Sequence, residues 1–289
     1  MSQSSAKTVR HIFTVDVEEY FQVEAFSEYV ERKDWDRYPG RVEESTARLL
    51  DLLSDYGVRG TFFVLGWLAE RNPALVKRIA GAGHEIGSHG FEHRMVTKMT
   101  PEEFRKDIRK SREVLENIIG IAVEGYRAPT FSIVNETRWA YNILLEEGFH
   151  YSSSVFPTLH DRYGWRQFGY DPRKMASNKV ADLWEIPLSV WVKGPIKIPF
   201  GGGGYLRSYP IFLTKTLFRN FSKKGKPVIL YIHPWELDSQ QPKIRAPLIS
   251  RGRHLLGIQN TERKLIALLK EIKFTTISQY LNSKKFSFC

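Results

Sequence analysis

Residues His11–Val17, HIFTVDV, form an apolar run too short for a helix and rich in β-branched and aromatic residues, with an acid, Asp16, next to its end. A helical pattern follows near 42–56, and then a second apolar run, Gly60–Gly66, GTFFVLG. A strand, a helix of about four turns and another strand form one parallel βα unit. The same alternation continues outward. A helix over 73–83 leads into HEIGSH (84–89), and a helix over 101–118 leads into VEGYRAP (123–129). A helix over about 135–147 leads into YSSSVF (151–156), and LWEIPLSV (183–190) reads as a later strand. After FGGGG (200–204), a helix over 210–222 precedes PVILYIH (227–233), and one over 261–272 precedes FTTISQYL (274–281). Thr100 and Glu103 have capping-box spacing, and Pro101 suits a first helical position. The pattern implies an α/β fold, as an open doubly wound sheet or a barrel. In both, chemistry gathers at the C-terminal ends of strands.

Composition bounds the rest. The chain has 289 residues, 42% hydrophobic and 26% charged, an ordinary globular balance, and no apolar run long enough to span a bilayer. The N-terminus, MSQSSAKTVRHIF, has no apolar signal core, so a cytoplasmic protein is expected. The single cysteine, Cys289, rules out an intramolecular disulfide and a thiolate cluster, so any metal must be held by His, Asp or Glu. The net charge of +11 is uneven, because 193–289 carry 18 Lys/Arg against 4 Asp/Glu. That surplus suits an anionic partner, and it equally suits solvated helix faces. In the 210–222 helix, Phe212, Leu213, Leu217 and Phe221 read as an apolar stripe with Lys215 and Arg219 between them. No nucleic-acid motif is present, and none is expected to bind.

Several polar residues fall at strand ends. Asp16 and Glu18 are two apart in an extended run and project to one face, where a cation would relieve their repulsion; Glu18 reads equally as the start of a solvated loop. His89 and His93 have i, i+4 spacing, which puts both rings on one face of a helix or helix-like turn, as metal ligands or as two surface imidazoles. His233, between an apolar strand and Pro234-Trp235, suits a general acid or a buried core histidine. Arg127 is able to pair with Asp16 or to stand as a surface charge. A barrel would bring these ends to one rim.

In order along 10–240, FTVDVEEYF, HEIGSHGFEH, GYRAPTFSI, WEIPLSVW and ILYIHPWELD resemble the motif series of the NodB-homology polysaccharide deacetylases, carbohydrate esterase family four. FGGGGYLRSYP and the basic C-terminal part are similar to the branch of that family found in exopolysaccharide gene clusters. The resemblance implies a distorted (β/α) barrel of about seven strands. Residues 1–289 would form a single catalytic domain, with a basic segment, about 236–289, packed on the barrel. It implies a divalent metal, with zinc the expected ion, on Glu18, His89 and His93. Asp16 would be the base, Arg127 the residue holding it and His233 the acid, with substrate contacts from Pro129, Trp184, Tyr205 and Arg207. Val17 stands where the common pattern has a second aspartate, which displaces that acid to Glu18. The activity implied is removal of N-acetyl groups from amino sugars of a bacterial polysaccharide or its lipid-linked precursor, and the basic C-terminal third adds the expectation of peripheral contact with an anionic membrane at its inner face. The alternatives are hydrolysis of another small or cyclic amide and an inactive glycan-binding barrel. Neither the sugar nor the oligomeric state is legible.

Overall fold

The computed structural model of the protein describes residues 9–158 and 164–284; residues 1–8 and Cys289, on which the localisation and cysteine readings partly rest, lie outside them. The strands in chain order are β1 (His11–Val17), β2 (Thr61–Val64), β3 (Glu85–Ser88), β4 (Gly125–Tyr126), β5 (Tyr151–Ser152) and β6 (Arg173–Ser177), then β7 (Asp182–Glu185), β8 (Val190–Lys193), β9 (Ile196–Pro199), β10 (Ile229–Ile232) and β11 (Phe274–Thr275). The helices are α1 (Val42–Asp55), α2 (Gly66–Arg71), α3 (Pro73–Gly81), α4 (Pro101–Ile119) and α5 (Ala140–Glu146), then α6 (Gly203–Ser208), α7 (Ile211–Lys223), α8 (Leu248–Leu255), α9 (Thr261–Leu269) and α10 (Ile277–Ser283).

The order β10-β1-β2-β3-β4-β5-β7 is parallel throughout. β6 adds antiparallel at the far edge, and β11 pairs with the start of β1. Every residue of β1 is buried, as a parallel strand covered on both faces requires. The sheet curls into a half-barrel, consistent with the distorted (β/α) barrel of this fold type. Inside the curl pack Ile12, Phe63, Phe131, Tyr151, Tyr231 and Ile277; outside it, Phe13, Val15, Phe62 and Val64 meet the helices. α4 shows how the outer layer is specified. Thr100 and Glu103 make both bonds of the capping box, Pro101 opens the helix, and Phe104, Ile108 and Leu115 form its buried stripe.

No strand ladder joins β7 to β10. The seam is crossed by the segment between them: Leu188 N–H donates to Val155 O (2.9 Å), Ile229 N–H to Ser189 Oγ (2.9 Å) and Tyr231 N–H to Gly201 O (2.8 Å). C-terminal residues help close the structure. α10 places Ile277 and Leu281 inside the curl, and Asp238 pairs with Arg41 of the β1–α1 loop at 2.8 Å.

Several local expectations are corrected. The 183–190 run breaks at Pro187, which has no N–H to donate, and gives β7 and β8 as separate strands. The 135–147 helix starts only at Ala140, after a tight turn at Asn135–Thr137. FTTISQYL is a strand only at its start. Thr276 caps α10 by accepting from Gln279 N–H, which turns the rest into helix. In α7 the buried face is Thr214, Leu217 and Phe218, whereas Phe212 is 70% exposed and Leu213 is also exposed; the stripe is rotated from the one expected. Among the described residues no helix is long and apolar enough to cross a membrane.

Candidate active site

β1, β2, β3 and β4 end on the same rung, because Val17 pairs with Val64, Val64 with Ser88 and Ser88 with Tyr126. On the other side Val15 pairs with Ile232. The residues at or just past those ends are Asp16, Glu18, His89, Arg127 and His233. Register alone therefore brings together groups far apart in sequence. All of them except Arg127 line a cavity of about 170 Å³ whose wall includes Asp16, Glu18, His89, His93, Phe131 and His233.

Three of these side chains converge. One ligand-type atom from each of Glu18, His89 and His93 lies within 4.8 Å of the other two, and all three residues are buried. His89 Nδ1 is 2.8 Å from Arg127 O; a carbonyl oxygen only accepts, so Nδ1 carries the proton and Nε2 presents a lone pair. Glu18 Oε2 is buried and receives no hydrogen bond of good geometry, although His93 Nε2 lies 2.8 Å away. Burial pushes the Glu18 carboxyl up, but the charges of His93 and His233 outweigh it and bring it down to about 2. Burial, partly offset by Asp16, lowers His89 to about 4 and keeps it neutral. An orphaned buried carboxylate oxygen beside two imidazoles, one with its lone pair freed, is a donor set that fits a divalent cation.

The i, i+4 spacing does not act through a helix. His89 follows β3, Gly90 takes φ 75° and His93 φ 52°, so a sharp loop turns His93 back beside His89, with ring centroids 5.3 Å apart. Among the described residues the non-glycine positions with positive φ are His93, Thr130 and Phe131, and all three wall this cavity. Strained backbone concentrated at one cavity marks a functional site.

Arg127 is fully buried. It donates to Asp16 Oδ1 (2.8 Å), Thr14 Oγ1 (2.8 Å), Ser153 O (3.0 Å) and Ser153 Oγ (2.9 Å), and its guanidinium lies 4.3 Å from the centre of the Phe63 ring. Asp16 is thereby fixed, with Oδ2 4.0 Å from His233 Nε2. On its other side His233 Nδ1 is 2.8 Å from Glu236 Oε1, and Glu236 Oε2 is 2.9 Å from Arg207 Nε. Burial disfavours the charged His233 ring. Glu18 first, then Glu236 and Asp16, more than reverse this and raise it to about 9. The ring stacks on Trp235 at 4.9 Å, and Trp235 stacks on His254 at 4.2 Å.

The four residues expected to touch substrate lie elsewhere. Arg207 is behind His233, bound to Glu236 and to His254 O. Trp184 and Tyr205 pack against the interior cluster, and Pro129 is buried in the turn that presents Thr130 and Phe131. None of the four is on the cavity wall. The reading of the sequence passed over Trp235, Phe131, Tyr231 and Glu236. Glu236, three residues after His233 in the sequence, had a detectable signal.

A curled α/β half-barrel with an acid-and-histidine cavity at its strand ends defines the class. The model of the family described as Polysaccharide deacetylase matches residues 34–144, and that of a domain of unknown function (DUF3473) matches 153–282. A peptidoglycan-N-acetylglucosamine deacetylase of Bacillus cereus is 41% identical over 98 residues, 34% of this chain and 36% of that protein. Another of that name from the same organism is 38% identical over 188 residues, 62% of this chain and 76% of that protein. A Mycobacterium smegmatis crystal structure described as a candidate polysaccharide deacetylase superposes with a TM-score of 0.62 at 24% identity, covering 99% of this chain and 94% of that one. The chain belongs to the polysaccharide deacetylase family. It spans between about a third and a half of the length of the first curated relatives it matches.

Proposed function

We propose that the protein is a metal-dependent hydrolase that removes N-acetyl groups from amino sugars of a bacterial polysaccharide or its lipid-linked precursor, acting as one catalytic unit that includes the basic segment of about 236–289. The observation that carries this reading is the facing pair on one small cavity: Asp16, clamped by Arg127, on one side and His233, protonated through neutral pH, on the other, with the Glu18–His89–His93 cluster beside them. Glu18, His89 and His93 would hold the cation, which when bound supplies Lewis-acid polarisation of the acetamide carbonyl. Asp16 takes a proton from the attacking water, and Arg127 keeps that carboxylate ionised and aimed. His233 gives its Nε2 proton to the departing amine, a poor leaving group without it. Water and acetamide become acetate and free amine. No covalent intermediate is required, and among the described residues no serine or cysteine lines the cavity.

The deciding experiment measures acetate release from a panel of N-acetylated glycans by metal-stripped protein before and after reloading with zinc. Release restored by the metal supports the reading. Stoichiometric metal with no acetate from any glycan would instead favour an inactive glycan-binding barrel.

A further inference from the structure

A second cavity, of about 380 Å³, opens at the opposite end of the barrel. Ile12 and Ile229, at the starts of β1 and β10, are in its wall, whereas Asp16 and His233 belong to the far ends of the same strands. The four steps along the strand from Ile12 to Asp16 rise roughly 13 Å at about 3.3 Å each, so the two cavities are separate.

The chemistry of this second cavity differs from that of the first. Its interior is apolar and aromatic, with Val190, Trp191, Phe221 and Tyr280 on its walls. Two of its polar groups are already engaged: Ser189 Oγ accepts from Ile229 N–H at 2.9 Å, and Asp171 pairs with Lys226 at 2.5 Å. Its rim is cationic. Lys224 and Lys284 line it and have no ion pair among the described residues. A neighbouring trough that shares Tyr280 and Lys284 adds Arg10, likewise unpaired among the described residues. A sugar buried here would leave hydroxyls without partners, which is costly, whereas a hydrocarbon chain asks for none. A bare hydrocarbon would in turn make no use of the rim.

We propose that this cavity binds a single-tailed anionic amphiphile, its apolar chain against Trp191 and Phe221 and its phosphate or carboxylate head on Lys224 and Lys284. A chain entering from a bilayer at this end would turn the catalytic cavity, at the opposite strand ends, away from the lipid surface and towards glycan extending from it.

Calorimetric titration of the full chain with farnesyl phosphate tests this, with farnesol and inorganic phosphate as the two half-ligands. Saturable binding of one farnesyl phosphate per chain is expected, with inorganic phosphate alone failing to displace it. Val192→Trp, which fills the cavity from β8, should weaken binding at least tenfold. Lys224→Gln with Lys284→Gln should weaken farnesyl phosphate several-fold and leave farnesol unchanged. Both variants should release acetate from a soluble glycan as the parent does, so failure here is separable from failure of the deacetylase assignment. Neutral vesicles doped with farnesyl phosphate, set against vesicles of an anionic diacyl lipid, distinguish the source. Capture by the former alone supports the single-tailed ligand, and capture by both, sensitive to Val192→Trp, would show that the cavity takes a two-tailed membrane lipid and would overturn it. Binding indifferent to Val192→Trp, full displacement by inorganic phosphate, or no binding would each overturn the proposal.

Discussion

Gly203 and Gly204 are adjacent in α6 and should respond in opposite ways to the same substitution. A Cβ on Gly203 would lie 2.0 Å from Glu236 Oε1 and 2.2 Å from Oε2, where ordinary contact begins at 3.4 Å, so the carboxylate would have to retreat by more than 1 Å. It has nowhere to go, because Glu236 is fully buried between the 2.8 Å bond to His233 and the 2.9 Å pair with Arg207. A displacement of that size takes both contacts out of hydrogen-bond range and strands a buried charge. Breaking a buried pair costs about 3–5 kcal/mol, a large part of the roughly 5–15 kcal/mol that holds a domain folded. A Cβ on Gly204 meets only Arg207 Nη2, at 3.8 Å, and replaces an exposed helical glycine, a gain of up to about 1 kcal/mol. Urea unfolding should therefore show Gly203→Ala destabilised by about 3–5 kcal/mol and Gly204→Ala at least as stable as the parent. Acetate release by Gly203→Ala should fall on the order of 10²–10⁴-fold, the usual contribution of a placed general acid. If the two variants proved equally stable and equally active, the Arg207–Glu236–His233 chain would not be what holds the acid in place.

His89→Ala and His93→Ala should each remain folded and lose stoichiometric metal, measured by elemental analysis; full occupancy in both would remove the ligand assignment. Asp16→Asn should retain the metal and lose about 10²–10⁴-fold in turnover, since it removes a base and not a ligand; near-parent turnover would show that no protein base is needed. His233 is raised from 6.5 to about 9 in the folded chain, so its contribution to the stability of the metal-free protein is complete below 6.5 and lost as pH rises through about 9. Urea midpoints of metal-free parent and His233→Gln across that window should show the parent losing stability and the variant not; parallel curves would refute the shift.

Much of the architecture was legible because parallel strands buried on both faces are written as apolar runs. HIFTVDV shows this most clearly, and its bounds coincide with β1. Asp16, Glu18, His89, Arg127 and His233 were legible as candidates because strand ends are where such folds expose polar groups. Their convergence depends on register, which no single run encodes. The arrangement of His89 and His93 was not legible, because i, i+4 spacing has a ready helical reading and only the loop with φ 52° at His93 shows the actual path. Arg207 is buried behind Glu236, against which the backbone at Gly203 presses closely, and the FGGGGYLRSYP run does not encode that placement.

The open seam beside β10 has a consequence for how the chain survives its own folding. Ile229–Ile232, ILYI, is an uncharged apolar strand, and until Gly201 and Ser189 dock on it one of its edges is bare. Such an edge is a template for pairing with another chain. The opposite edge of the sheet is guarded differently. β6 presents Arg173 and Lys174 to solvent and is broken by a register shift between Lys174 and Ala176, and both features discourage edge-to-edge addition. Aggregation risk is thus concentrated at one strand and the docking that covers it. Gly201 is the position that guards it, because a Cβ there would lie 2.2 Å from Ile229 O and hold the seam apart. Damage at Gly201 would then be seen first as insoluble protein, before any change in the chemistry at the other end of the strand.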